Sequence, residues 1–142
     1  LEDLGKKSIQ CGRRVDAVKL WFAWKYYGKE GYRDRICHSF KMAEYAEKVI
    51  QFEPRLELLA ERQSFTLCFR YQPENHKDLD GFNLALREEL KKSGLSMVNY
   101  GYHNGSLVLR LIFANAQIET SDVDQFFSNL LQTALMLDSK QS

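Results

Sequence analysis

Asn104-Gly105 stands between two strand-like runs, 96–102 and 107–113, and no other dipeptide in the chain limits the fold as tightly. Both residues accept positive φ, which a two-residue turn requires if its flanking strands are to keep their right-handed twist. The pair predicts a β-hairpin and an antiparallel ladder. Upstream, Phe65, Leu67, Phe69 and Tyr71 alternate with Thr66, Cys68 and Arg70. That period of two predicts a strand over 65–71. Residues 56–60 read as a shorter one.

Helical spacing fills the rest. After an irregular stretch over 1–12, a helix over 13–27 stops at Gly28. Its segment Val15-Asp16-Ala17-Val18-Lys19-Leu20-Trp21-Phe22-Ala23-Trp24 is apolar nearly all round, whereas an ordinary surface helix carries one apolar stripe. It is expected to be buried on several sides, or to pack against another chain or a missing domain. A second helix runs from after Gly31 to residue 51, with Ile36, Phe40, Ala43, Val49 and Ile50 on one face, and Pro54 ends it. Asp78 reads as the N-cap of a third helix, which buries Leu79, Phe82, Leu86 and Leu90 and ends before Gly94. Ser121 and Asp124 resemble a capping box for a last helix that buries Val123, Phe126, Phe127, Leu130, Leu131, Ala134 and Leu135. The polar tail over 138–142 is expected to fray. The order predicts an α+β fold, a mainly antiparallel sheet with helices on one face.

The 142 residues suffice for one domain with a real core. A net charge of +1 gives no electrostatic case for nucleic acid or an anionic membrane. The start reads as neither a signal peptide nor an initiator Met, so the natural chain is expected to begin further upstream or to have had something cut away. Cys11, Cys37 and Cys68 are odd in number and widely spaced; they suit a reducing cytoplasm rather than a disulfide framework. Cys37 and Cys68 read as small buried hydrophobes, and no metal site is expected.

Two features could carry chemistry. Arg110 sits inside Leu107-Val108-Leu109-Arg110-Leu111-Ile112-Phe113, a run that reads as apolar on both faces. A guanidinium there needs an anion, either an internal Asp or Glu or a substrate carboxylate, which its fork of donors fits bidentately. The second feature is Gln10-Cys11-Gly12-Arg13-Arg14-Val15-Asp16, where a glycine before a helix start allows backbone N–H groups to approach an anion. The alternative is a plain helix start with solvated arginines. Glycine-rich phosphate loops, a GxSxG elbow and HExxH are all absent from the sequence.

The run from Ile9 through Gln10, Cys11, Gly12, Arg13, Arg14, Val15 and Asp16 to Trp21 resembles the segment after the catalytic loop of group II pyridoxal-phosphate decarboxylases. Gln10-Cys11 is similar to the glutamate and cysteine sulfinate branch. The likeness continues through Gly28, Gly31 and Ala43-Glu44-Tyr45, the strand Thr66-Leu67-Cys68-Phe69-Arg70-Tyr71, and Arg110-Leu111-Ile112-Phe113-Ala114-Asn115 followed by Asp122-Val123-Asp124. It departs at Ala116 and Glu119, where the family often has proline and threonine.

This resemblance implies the C-terminal part of a fold type I (aspartate aminotransferase-like) enzyme. Residues 1–28 would be an interface segment from the end of the large domain, and 29–142 the small C-terminal domain. It implies pyridoxal 5'-phosphate bound covalently by a lysine outside this chain, with Gln10, Cys11 and Gly12 near the cofactor of the neighbouring subunit. Arg110 matches the arginine that receives the side-chain acid of the substrate. The implied partners are the missing large domain, a homodimer partner and a small acidic amino acid. The implied reaction is loss of the α-carboxylate from glutamate, aspartate or cysteine sulfinate, with the isolated chain inactive. The competing reading is a stand-alone α+β binding or regulatory module without catalysis.

Overall fold

The computed structural model describes residues 16–74 and 76–140. In chain order these form α1 (Asp16–Phe52), β1 (Leu56–Leu58), β2 (Thr66–Tyr71), α2 (Leu79–Lys92), β3 (Asn99–His103), β4 (Ser106–Ile112) and α3 (Thr120–Lys140). The chain divides into two compact units, Leu1–Arg35 and Ile36–Ser142.

In the first unit, α1 is broken at Gly28, whose φ of 64° and ψ of −175° would strain any residue with a Cβ. The break falls where the sequence placed it, but the second stretch does not wait for Gly31. Gly31 is helical, and a Cβ there would come within 3.0 Å of the Tyr27 Cβ. The aromatics of this unit touch one another: Trp24 stacks on Tyr32 at 5.2 Å and the Arg35 guanidinium lies 4.6 Å from the Tyr27 ring centre. Leu20, Trp21, Phe22 and Tyr26 nevertheless stay 61%, 56%, 62% and 83% exposed.

In the second unit the strands form one antiparallel sheet in the order β1-β2-β4-β3. The hairpin forms as the sequence predicts. Asn104 (φ 50°) and Gly105 (φ 83°) make the turn, and His103 pairs with Ser106. In β2, Leu67, Phe69 and Tyr71 are buried while Thr66, Cys68 and Arg70 are half-buried. The buried set joins Leu107 and Leu109 of β4, Ala43, Ala46 and Ile50 of α1, Phe82, Leu86 and Leu90 of α2, and Val123, Phe127, Leu130 and Ala134 of α3 in one core. The 36–52 part of α1, α2 and α3 therefore lie on one face of the sheet, as expected of an α+β layer. Each fully buried Leu or Phe here contributes on the order of 1.5–3 kcal/mol.

Several expectations shift. The α1 stripe that enters the core is Ser39, Ala43, Ala46 and Ile50, whose small members allow close approach, while Ile36 and Phe40 are 50% and 39% exposed. Leu135 is likewise exposed, because Ala134 takes the inward position. Cys37 is exposed and Cys68 half-buried, so neither is the buried hydrophobe the composition suggested. The cap of α3 is not Ser121 with Asp124. Asp122 Oδ2 accepts from Glu119 N at 2.8 Å, while Asp124 accepts from the Tyr45 hydroxyl at 2.7 Å. Nor does the helix fray at Asp138. That residue is buried, and its Oδ2 accepts from Glu74 N at 3.2 Å.

Candidate substrate-binding face

β4 has two unlike faces. Leu107, Leu109 and Leu111 point toward the helices, and Val108, Arg110 and Ile112 point the other way. No helix of the second unit covers that second face. Val108 is buried there without joining the core, but Arg110 and Ile112 are exposed. Both faces of the run carry apolar residues, but only one meets the helices, so Arg110 is exposed rather than desolvated and has no internal carboxylate partner among the described residues.

The ladder fixes what stands beside it. Arg110 is directly opposite Cys68 of β2 and Asn99 of β3. Such opposites project from the same face with Cβ atoms about 4.5–5.5 Å apart. Both neighbours are uncharged. The nearby Arg70 is differently placed: its Nε donates to Glu57 Oε2 at 2.7 Å, and Gln72 Nε2 donates to the same oxygen at 2.8 Å. The Gln72 amide, together with Arg70, holds the Glu57 carboxyl below the usual carboxylate range against the opposing effect of burial. One arginine of this face is neutralised within the sheet, and the other presents its fork of donors outward.

Gln10, Cys11 and Gly12, the other sequence-predicted site residues, lie outside the described residues. Sequence reasoning missed a buried polar cluster elsewhere. His76 Nε2 and Asp138 Oδ1 are 3.6 Å apart, both buried and without a hydrogen-bond partner among the described residues. A histidine in a loop and an aspartate near the chain end give no sequence signal of meeting. An apolar groove of about 510 Å³ is lined by Tyr45, Lys48, Val49, Phe52, Glu53 and Leu131. It contains none of the predicted site residues.

Residues 1–72 match the family profile described as the pyridoxal-dependent decarboxylase conserved domain. The chain belongs to the pyridoxal-dependent decarboxylase family. It is 31% identical over 140 residues to human cysteine sulfinic acid decarboxylase, covering 90% of this chain and 28% of that protein. It is 31% identical over 133 residues to the mouse acidic amino acid decarboxylase GADL1, covering 86% of this chain and 24% of that protein. A crystal structure of mouse CSAD in apo form superposes with a TM-score of 0.82 at 30% identity, over 93% of this chain and 30% of that chain. The chain thus spans under a third of the length of these relatives. The family and fold implied by the sequence motifs are borne out.

The family's cofactor needs a lysine amine beside a ring-sized cavity and donors for a phosphate. Lys48, the described lysine that lines the apolar groove, has its amine engaged elsewhere. Lys19 and Lys48 are in exposed ion pairs with Asp16 (3.0 Å) and Glu44 (2.9 Å), and Lys25 lies 5.8 Å from the Trp21 ring centre. What the described residues do provide is an uncompensated cation on an open sheet face. Among the described residues no helix is long and apolar enough to cross a membrane.

Proposed function

We propose that this chain is the C-terminal part of a cytoplasmic pyridoxal-phosphate-dependent carboxy-lyase that removes the α-carboxylate of an acidic amino acid. Glutamate, aspartate and cysteine sulfinate are the candidate substrates. The observation that carries the reading is the state of Arg110: exposed, flanked by two uncharged residues and unpaired among the described residues. A guanidinium so placed can donate bidentately to a carboxylate or sulfinate. The names of the relatives, one a cysteine sulfinate and one an acidic amino acid decarboxylase, point to the same substrate class.

In this reading the described residues bind and orient, and the bond-breaking machinery lies elsewhere in the protein. Arg110 holds the far end of the substrate, so the α-carboxylate is presented in one direction. Gln10, Cys11 and Gly12 approach the cofactor of the neighbouring subunit. Residues 1–28 form the interface segment and 29–142 the small domain. The exposed Leu20, Trp21, Phe22 and Tyr26 are covered by the large domain and the second protomer. The isolated chain does not decarboxylate.

The test is carbon dioxide release by the full-length, cofactor-loaded protein from glutamate, aspartate, cysteine sulfinate and an aromatic amino acid. Turnover of at least one acidic substrate and none of the aromatic one is expected. Aromatic preference would remove the substrate assignment, and turnover by the purified 142-residue chain would remove the division of labour.

A further inference from the structure

Asn99 and Arg110 occupy opposite positions in the β3–β4 ladder, so their side chains leave the sheet on the same face. Asn99 Oδ1 accepts from Tyr100 N at 2.9 Å. Only the oxygen of a carboxamide can accept from an N–H, so this bond fixes which end is which. The Nδ2 donor is left without a partner among the described residues, beside an arginine in the same condition. No carboxylate competes for either group at these ladder positions, where the remaining neighbour is Cys68. Arg70, by contrast, is already bound to Glu57.

We propose that Asn99 is the second donor of the anion receptor: its Nδ2–H and the Arg110 guanidinium together bind the side-chain acid of the substrate. The inference rests on the reading of Arg110 as that receptor and extends it to specificity. A carboxylate or sulfinate gripped bidentately by arginine uses one lone pair on each oxygen and keeps others free. The Asn99 amide can take one of them. A substrate ending in a carboxamide would turn its own NH2 toward one of these donors. Two donors then face each other with no acceptor between them, and the pair rejects the amide in favour of the acid.

The experiment uses the full-length, cofactor-loaded protein and four forms: parent, Asn99→Ala, Asn99→Asp and Arg110→Met. KM and kcat are measured for the acidic substrate it turns over, with the inhibition constant of glutarate, which offers a carboxylate and no amine. Asn99→Ala is expected to raise KM and the glutarate constant about tenfold, the effect of one charge-assisted hydrogen bond, with kcat little changed. Asn99→Asp is expected to raise both further, because its carboxylate occupies Arg110 directly. A purely structural role at this exposed edge position would not give that order. Parental values for Asn99→Ala beside a raised KM for Arg110→Met would overturn the Asn99 assignment alone. Parental values for Arg110→Met would overturn the receptor itself, and Asn99 with it.

Discussion

The side chain of Asn83 closes the hydrogen bonding of Tyr71 where the sheet runs out. Its Nδ2 donates to Tyr71 O and its Oδ1 accepts from Tyr71 N, both at 2.8 Å. β4 pairs with β2 only as far as Phe69, so the carboxamide takes the place of the next ladder residue. Nδ2 also donates to Leu79 O at 2.9 Å, which ties the start of α2 to the strand. Asn83 is fully buried, so leaving these groups unpaired would cost free energy.

Asn83→Leu is therefore expected to cost about 2–4 kcal/mol, since it strands a buried N–H and C=O and puts a larger apolar side chain of the same branched shape in the site. Urea unfolding measures it. A loss under about 1 kcal/mol would mean that water replaces the carboxamide at no penalty.

Acid should weaken the fold through Glu53 and Glu57. Both carboxyls are held below their usual range, Glu53 first by its hydrogen bond from Arg55 and Glu57 first by that from Gln72. A depressed folded value means stability that is present above the unfolded glutamate pKa, about 4.3, and is lost as pH falls through the lower folded values. The unfolding midpoint should decline below about pH 4 and should decline less in Glu53→Gln and Glu57→Gln. Identical acid slopes in parent and variants would contradict the role of these carboxyls.

The exposed apolar side chains of α1 are expected to make the isolated chain self-associate. Leu20→Gln with Phe22→Gln, at positions 61% and 62% exposed, should lower the sedimentation-detected oligomer without shifting the unfolding midpoint. A parent chain that sediments as a monomer at high concentration would show that this surface does not need a partner.

How much of this was legible in the sequence depends on the range of the interaction. The Asn104-Gly105 turn, the β2 alternation, the Asp78 cap and the break at Gly28 are written within a few residues, and each forms. What failed was long-range. Asp138 reads as part of a frayed tail because nothing nearby in sequence shows that Glu74 N meets it 64 residues away. Asn83 gave no sign that it would finish a strand. The cap of α3 moved by two residues because Asp122, not Asp124, reaches back to Glu119.

The sequence points to Arg110 for a reason that holds only in part. The run around it reads as apolar throughout, yet only one face of β4 meets the core, and the guanidinium is exposed rather than desolvated. The residue stays informative because the ladder sets uncharged neighbours beside it. That arrangement needs the register of β2 and β3 against β4, which sequence periodicity alone does not supply.

The most direct measurement is steady-state decarboxylation by the full-length protein with Arg110→Met. KM for the acidic substrate is expected to rise about a hundredfold, as when one partner of a charge-assisted bidentate pair is removed. Thermal unfolding should stay put, because an exposed side chain without a partner among the described residues contributes within about 0.5 kcal/mol. Parental KM values for glutamate, aspartate and cysteine sulfinate alike would contradict the account.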